Sequence, residues 1–162
     1  MPSHEYIRTR PEDVEPIENP ASFRRGMKLY TRLNVLLYKW SGGRLMRTAM
    51  GGFPICLVTL TGHRTGRRLE IPLMHVADGE DKLLVGSQGG LDRDPIWVRS
   101  VDVNPDLTIR AAGRTRRYRA RRLDPQEKRE AWPTLVAAYP PYDEYQARTD
   151  RDIPVFRCRP ID

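Results

Sequence analysis

The chain has 162 residues, the length of one ordinary domain, and 39% of them are hydrophobic. No run approaches the ~20 consecutive apolar residues of a spanning helix. Met1-Pro2-Ser3-His4-Glu5 lacks the apolar core of a secretory signal, and Cys56 and Cys158 are too few for a disulfide framework. A helical membrane protein and a disulfide-stapled secreted domain are thereby excluded, and the expectation is a cytoplasmic single domain. The formal charge is +7, and because Lys28, Lys39, Lys82 and Lys128 are the only lysines, arginine supplies nearly all the cations. Guanidinium groups suit planar, two-point contacts to phosphate or carboxylate. The excess therefore fits a polyanionic partner: nucleic acid, anionic lipid or a phosphorylated cofactor.

Residues 1–20 hold Pro2, Pro11, Pro16 and Pro20 among many charges and read as a flexible arm, leaving 21–162 as the folded domain. Phe23, Met27, Tyr30, Leu33, Leu37 and Trp40 recur at spacings of three and four, one face of a helix. Arg24, Arg25, Lys28, Arg32 and Lys39 take the other faces, and Gly42-Gly43 should end the helix. This basic amphipathic helix has two available tasks, packing against the domain or meeting an anionic membrane surface, of which packing is favoured. Past Gly51-Gly52 the period falls to two. A β-branched run over 55–61 predicts a buried strand, and Leu69, Ile71, Leu73 and His75 alternate with Glu70, Pro72, Met74 and Val76 in a second. Asp78-Gly79 marks a hairpin into a third strand over 82–86.

Further strands are predicted over 107–111, 116–123 and 153–158. Between the last two, Asp124 is a natural N-cap and Pro125 a natural first residue for a helix reaching Tyr139, which Pro133 should kink or split. Short strands joined by hairpins, with few helices, argue a small antiparallel barrel or sandwich.

Several motifs are absent: no Gly-x-Gly-x-x-Gly, no phosphate loop ending in Gly-Lys-Ser/Thr and no Cys-x-x-Cys. His4, His63 and His75 lie far apart, so a structural role for His75 outweighs a ligand role and no metal is expected. The turn Thr61-Gly62-His63-Arg64-Thr65-Gly66 could converge backbone amides and guanidiniums on an anion, or be an ordinary solvated hairpin. A second glycine-rich turn, Val85-Gly86-Ser87-Gln88-Gly89-Gly90, could present Ser87 to a ligand. On a strand, Arg117, Arg119 and Arg121 would share a face at ~7 Å spacing, close to that of nucleic-acid phosphates. The solvated face of an edge strand is the favoured reading there. Tyr139, Tyr142 and Tyr145 fall three apart, so their rings could line one wall of a pocket or simply pack.

Taken in order, these motifs resemble a known family, the deazaflavin (coenzyme F-420)-dependent nitroreductases and quinone reductases of actinobacteria. The resemblance runs from about Asn34 to the C-terminus. It rests on Leu36-Leu37-Tyr38 with Gly42-Gly43-Arg44, the two glycine-rich turns, Pro95-Ile96-Trp97, Asn104-Pro105 and the segment from Tyr139 to Asp150. It implies a split β-barrel related to flavin-binding barrels. It also implies that His63, Arg64 and Thr65 meet the anionic tail of the cofactor, with Leu69, Glu70, Ile71, Pro72, Leu73 and Met74 continuing that wall. Val85, Gly86, Ser87 and Gln88, together with Ile96, Trp97, Val98, Arg99 and Ser100, are implied to embrace the deazaflavin. Tyr142 would be a wall for cofactor and substrate, and Tyr145, Ser87 and Tyr139 would face the substrate, with Tyr145 or Ser87 donating a proton. The chain departs from the usual pattern at Gln88, Val98 and Ser100. The implied reaction is hydride transfer from reduced coenzyme F-420 to a small-molecule acceptor: a quinone, a nitro-aromatic or an activated alkene. The rival readings are an FMN-dependent reductase on the same barrel and a non-enzymatic nucleic-acid binder, neither of which is preferred.

Overall fold

The computed structural model describes residues 5–18, 20–41 and 52–162. After helix α1 (Pro20–Trp40), strands β1 (Ile55–Thr61), β2 (Arg68–Met74), β3 (Val76–Asp78) and β4 (Asp81–Val85) follow. Helix α2 (Ile96–Val103) leads to the hairpin of β5 (Asp106–Ala111) and β6 (Arg114–Arg122), then α3 (Pro125–Ala138), α4 (Pro141–Ala147) and β7 (Val155–Pro160). Helix α2 carries no clear periodic signal and was not anticipated. Gly42-Gly43 and Gly51, expected as breakers, lie outside the described residues.

The strands form one antiparallel sheet in the order β2-β1-β5-β6-β7-β4-β3. Its two outer strands are consecutive in the chain, with His75 alone between Met74 and Val76. Two residues span at most ~7 Å, so the opposite ends of a seven-stranded sheet must lie together and the sheet has to curl on itself. The result is the split barrel expected from the resemblance. Pro72 sits on β2 opposite Leu57, at an outer strand where a missing N–H is tolerated.

The barrel interior is filled by Cys56, Val58, Leu60, Ile109, Tyr118, Phe156 and Cys158 from the strands, and by Trp97, Val98 and Val101 from α2. Burial pushes the Cys56 thiol up to about 12, so it is an inert core group. On the other side of β4 and β7, α3 and α4 bury Trp132, Leu135 and Tyr142 against Leu83, Ile153 and Val155. Helix α3 opens with a capping box, in which Asp124 Oδ1 accepts from the Glu127 amide at 2.9 Å and Glu127 Oε2 from the Asp124 amide at 3.0 Å. Pro133 does not split it. The flanking Trp132 and Leu135 are almost wholly buried and hold both halves to one core, which outweighs the ~3 kcal/mol penalty of an internal proline.

Two expectations about surfaces need correction. Strand β6 is not an edge strand: it lies between β5 and β7, because the C-terminal strand pairs along its free side. Three of its arginines are held by two-point contacts to carboxylates: Arg119 by Asp106 at 2.7 and 3.0 Å, Arg121 by Glu127 at 2.7 Å twice, and Arg122 by Asp102 at 2.6 and 3.2 Å. Such exposed pairs are each worth only ~0–1 kcal/mol, but they engage Arg119 and Arg121, two of the three guanidiniums of the ladder that a nucleic-acid backbone would read. Helix α1, in turn, packs on the barrel over only part of its length. The Phe23 ring lies against Gly89, whereas Leu29, Leu33, Leu36 and Trp40 are exposed, Trp40 to 82%.

His75 occupies the joint between β2 and β3 with its Nδ1 buried and without a partner among the described residues. Burial, then the Lys82 charge, lowers its pKa from 6.5 to about 4. The folded pKa lies below the unfolded one, so between those values the unfolded chain binds more protons and stability is lost as the pH falls from 6.5 toward 4. Urea midpoints compared at pH 7 and pH 4.5 should show a smaller acid-induced drop in His75→Leu than in the parent protein.

Candidate active site

The turn between β1 and β2 is stapled from within: the Gly62 amide donates to Arg67 O at 2.8 Å and the Gly66 amide to Gly62 O at 2.9 Å. The Arg67 amide donates to Thr65 Oγ1 at 3.3 Å, and the His63 amide to Ser100 Oγ at 3.2 Å. The Gly62, Gly66 and Arg67 amides thus serve the turn itself, and the His63 amide ties it to α2. His63, Arg64 and Arg99 line an open cleft of ≈ 660 Å³ with Asp94, Pro95 and Ile96.

Ser100 is fully buried and places the imidazole of His63. Its Oγ donates to Ile96 O at 3.3 Å and lies 3.0 Å from His63 Nδ1. The oxygen thus holds both the amide and the ring nitrogen of His63, which sets the place of the imidazole at the cleft. Ser100 departs from the resembled pattern, and here it has a defined task. Trp97 and Val98 point the opposite way, into the barrel core, so α2 divides its residues between core and cleft.

A second wall is built where β4 ends. Gly86 passes so close to α2 and Pro154 that a Cβ would meet Val98 Cγ2 at 2.7 Å and Pro154 Cγ at 2.9 Å. Gly90, at φ +78°, lies against α4, where a Cβ would approach Tyr145 O to 2.5 Å. Between them Gln88 holds a left-handed φ of +46°, a strained conformation for a side-chain-bearing residue. Arg151 fixes this path. Its Nε donates to Leu91 O at 2.6 Å and its Nη2 to Ser87 O at 2.7 Å and Gly86 O at 3.2 Å, while Nη1 pairs with Asp94 at 2.7 Å. Arg148 adds a bond from Nη1 to Gly89 O at 2.6 Å. Neither arginine stood out in the sequence, because what they hold is main-chain oxygen some 60 residues earlier.

Helix α4 brings the three tyrosines together. Tyr139 Oη and Tyr145 Oη are 3.0 Å apart, and the Tyr139 ring meets Tyr142 edge-on at 4.9 Å and Phe53 at 4.7 Å. Tyr142 is 4% exposed and anchors α4 in the second core cluster, whereas Tyr139 and Tyr145 are half-buried. Burial, and then the hydrogen bond with Tyr139, raises the Tyr145 phenol above its ordinary value, so it stays protonated at neutral pH. The 86–94 segment joins this face to the cationic cleft, since α4 packs on 88–90 and Asp94 lines the cleft.

A family model described as F-420H(2)-dependent quinone reductase matches residues 30–160. The chain belongs to this family. It is 31% identical over 127 residues to the F-420H(2)-dependent quinone reductase Rv1261c of Mycobacterium tuberculosis, covering 76% of this chain and 85% of that one. Among solved structures, the F-420-H2-dependent reductase FDR-A superposes with a TM-score of 0.61 at 38% identity, over 65% of this chain and 94% of that one. Another, described as a domain-swapped dimer, gives 0.62 at 33% identity over 76% and 97%. The haem-storage protein HutZ of Vibrio cholerae, at 14% identity and a TM-score of 0.51, shares the fold alone. The protein is thus an oxidoreductase whose cofactor is coenzyme F-420, and neither FMN nor nucleic acid is favoured. The donor set of the cleft suits an anionic group such as the cofactor's tail: Arg64 and Arg99 are cationic, and the one carboxylate in its lining, Asp94, is already paired with Arg151.

Replacing Arg151 with Met should remove the clamp on 86–91 and leave four acceptor groups short of a donor. A hydrogen bond from a charged group contributes ~1.5–3 kcal/mol. The expected outcome is a thermal midpoint lowered by several degrees, with protease cleavage appearing first within 86–94, as mapped by limited proteolysis and mass spectrometry.

Proposed function

We propose that residues 21–162 form a catalytic unit that transfers a hydride from reduced coenzyme F-420 to a quinone, with nitro-aromatics and activated alkenes as further acceptors. The observation that carries this reading is the pairing of a cleft lined by Arg64, Arg99 and His63 with a phenolic face at Tyr139 and Tyr145, joined through the 86–94 segment. When bound, the cofactor supplies the hydride. His63, Arg64 and Thr65 hold its anionic tail, Arg99 adds charge, and Ser100 keeps His63 in register. Leu69, Glu70, Ile71, Pro72, Leu73 and Met74 continue that wall along β2, while Val85, Gly86, Ser87, Gln88 and Ile96 border the ring. Trp97, Val98 and Tyr142 support this arrangement from the core.

Reduction of a quinone to a hydroquinone takes one hydride and one proton. Tyr145 is the proposed donor: when it accepts from Tyr139, its own proton is free for an acceptor oxygen, and burial keeps the phenol protonated until then. Ser87 is the alternative donor.

An apolar quinone also gives the exposed part of α1 a task. Leu29, Leu33, Leu36 and Trp40 stand exposed beside Arg24, Arg25, Lys28 and Arg32, and no Asp or Glu occurs between Glu18 and Glu70. No helix among the described residues is long and apolar enough to cross a membrane. This arrangement supports peripheral contact with an anionic lipid surface, which co-sedimentation with phosphatidylglycerol vesicles tests.

Fluorescence titration with oxidised coenzyme F-420, and FMN as control, tests the cofactor site. Arg64→Ala should weaken deazaflavin binding roughly ten- to a hundredfold, the loss of one charge-assisted hydrogen bond. In steady-state oxidation of the reduced cofactor with menadione, Tyr145→Phe should lower turnover by ~10²–10⁴-fold, the usual range for a positioned acid. Its cofactor affinity should stay near that of the parent. Wild-type turnover in Tyr145→Phe would move the role to Ser87 or solvent.

A further inference from the structure

Residues 5–18 precede the segment matched by the family model, which begins at residue 30. They were expected to be a flexible arm. In the structure, part of this segment is tied across α4, the helix that carries Tyr142 and Tyr145. The centre of the tie is Asp143, between those tyrosines, a carboxylate only 4% exposed. Its Oδ2 accepts from the Arg8 amide at 2.8 Å, the Thr9 amide at 2.6 Å and Thr9 Oγ1 at 2.8 Å. Its Oδ1 accepts from Trp132 Nε1 at 2.9 Å. Three of these four donors belong to the arm, so a buried negative charge beside the tyrosine face is satisfied largely from outside the family domain. These bonds also hold the Asp143 carboxyl below its ordinary pKa against the opposing pull of burial.

Two more ties flank this one. Tyr6 packs edge-on against Trp132 at 5.3 Å and bonds through its hydroxyl to Gln146 and Asp152, both at 3.4 Å. Gln146 and Asp152 also receive the buried ammonium of Lys128. Further along, Glu15 O accepts from Arg148 Nε at 3.0 Å, and the same arginine reaches Gly89 O and lies over the Tyr145 ring. The arm therefore touches the helix, its buried polar core and the arginine that joins the helix to the 88–90 turn.

We propose that the N-terminal arm is a brace for substrate binding: Thr9, acting through Asp143, positions the tyrosine face of α4 against the electron acceptor. This rests on the reading of Tyr145 as a substrate-facing group. Helix α4 has only seven residues, and a helix that short has little stability of its own. Its orientation is set by what grips it. On the inner side the grip is Tyr142 in the core, and on the outer side it is the arm. Loosening the outer grip should let Tyr145 wander while the cofactor cleft, built on β1, β2 and α2, is left as it was.

The test uses full-length Thr9→Val, which keeps the shape of the side chain and deletes its hydroxyl, and Thr9→Ser, which restores the hydroxyl. Hydrogen–deuterium exchange of the 141–147 amides and steady-state kinetics with menadione are read together. Thr9→Val should exchange faster at 141–147 and raise the KM for menadione by roughly up to tenfold, the scale of one hydrogen bond to a charged group. The dissociation constant for oxidised coenzyme F-420 should be unchanged, and Thr9→Ser should return both readouts toward the parent. A general loss of fold would instead weaken cofactor binding as well, and would overturn the proposal. So would unchanged exchange at 141–147, or faster exchange with an unchanged KM. Tyr145→Phe, run alongside, separates the two claims. If it alters turnover while Thr9→Val has no effect, the brace alone is wrong. If neither variant alters kinetics, the assignment of the tyrosine face is wrong, and the brace falls with it.

Discussion

A single residue, His75, separates the two outer strands of the sheet, and the architecture depends on that constraint. An open sheet of this strand order would place β2 and β3 far apart, whereas the chain allows them no more than two residues of separation. Closure follows, and with it an interior that must be filled by side chains from every strand. Helix α2 completes that filling with Trp97, Val98 and Val101, and in doing so it presents Ile96, Arg99 and the Ser100 hydroxyl at the barrel's rim. The cleft is thus a by-product of core packing: the residues that plug the barrel and those that line the cleft alternate around one short helix.

The same economy governs the phenolic face. Tyr142, buried in the outer cluster, sets α4 in place, and Gly90 lets the 88–90 turn approach that helix closely. Arg148 and Arg151, from the end of α4 and just beyond it, then reach back to main-chain oxygens of 86–91. Helix and turn form one mechanical unit. A change in the turn at Ser87 or Gln88 is felt at Tyr145, because Gly90 packs directly on the main chain of that residue.

Charge is distributed to match. Along β6 and β7 the arginines are answered by carboxylates: Arg116 by Asp162, Arg119 by Asp106, Arg121 by Glu127 and Arg157 by Asp78 and Asp81. Between Glu18 and Glu70 the sequence has neither Asp nor Glu, and Arg68 reaches Glu70 itself at 3.5 Å. The positive excess of the whole chain is therefore concentrated on α1 and the turn at His63 and Arg64.

Much of this was legible in the sequence, for identifiable reasons. The periods of three to four and of two reveal α1 and most strands, because a half-buried element must place its apolar residues on one side. The Asp124 capping box is local, so it reads directly. The ordered motifs from the glycine-bracketed turn to Tyr145 carry the family and its cofactor. What stayed hidden depends on partners distant in the chain. Strand β6 reads as an edge until β7 arrives from some 40 residues later. Pro133 reads as a break until Trp132 and Leu135 are seen in one core. Asp143 is an unremarkable acid in an acidic pair until Thr9 is found against it, and Arg151 is one arginine among many until its four acceptors are located. Local sequence determined the elements and the chemistry of the cleft. Tertiary structure alone decided which charges are neutralised, which tyrosine is an anchor and what holds the short helix, because each of those outcomes is set by a contact that no periodicity records.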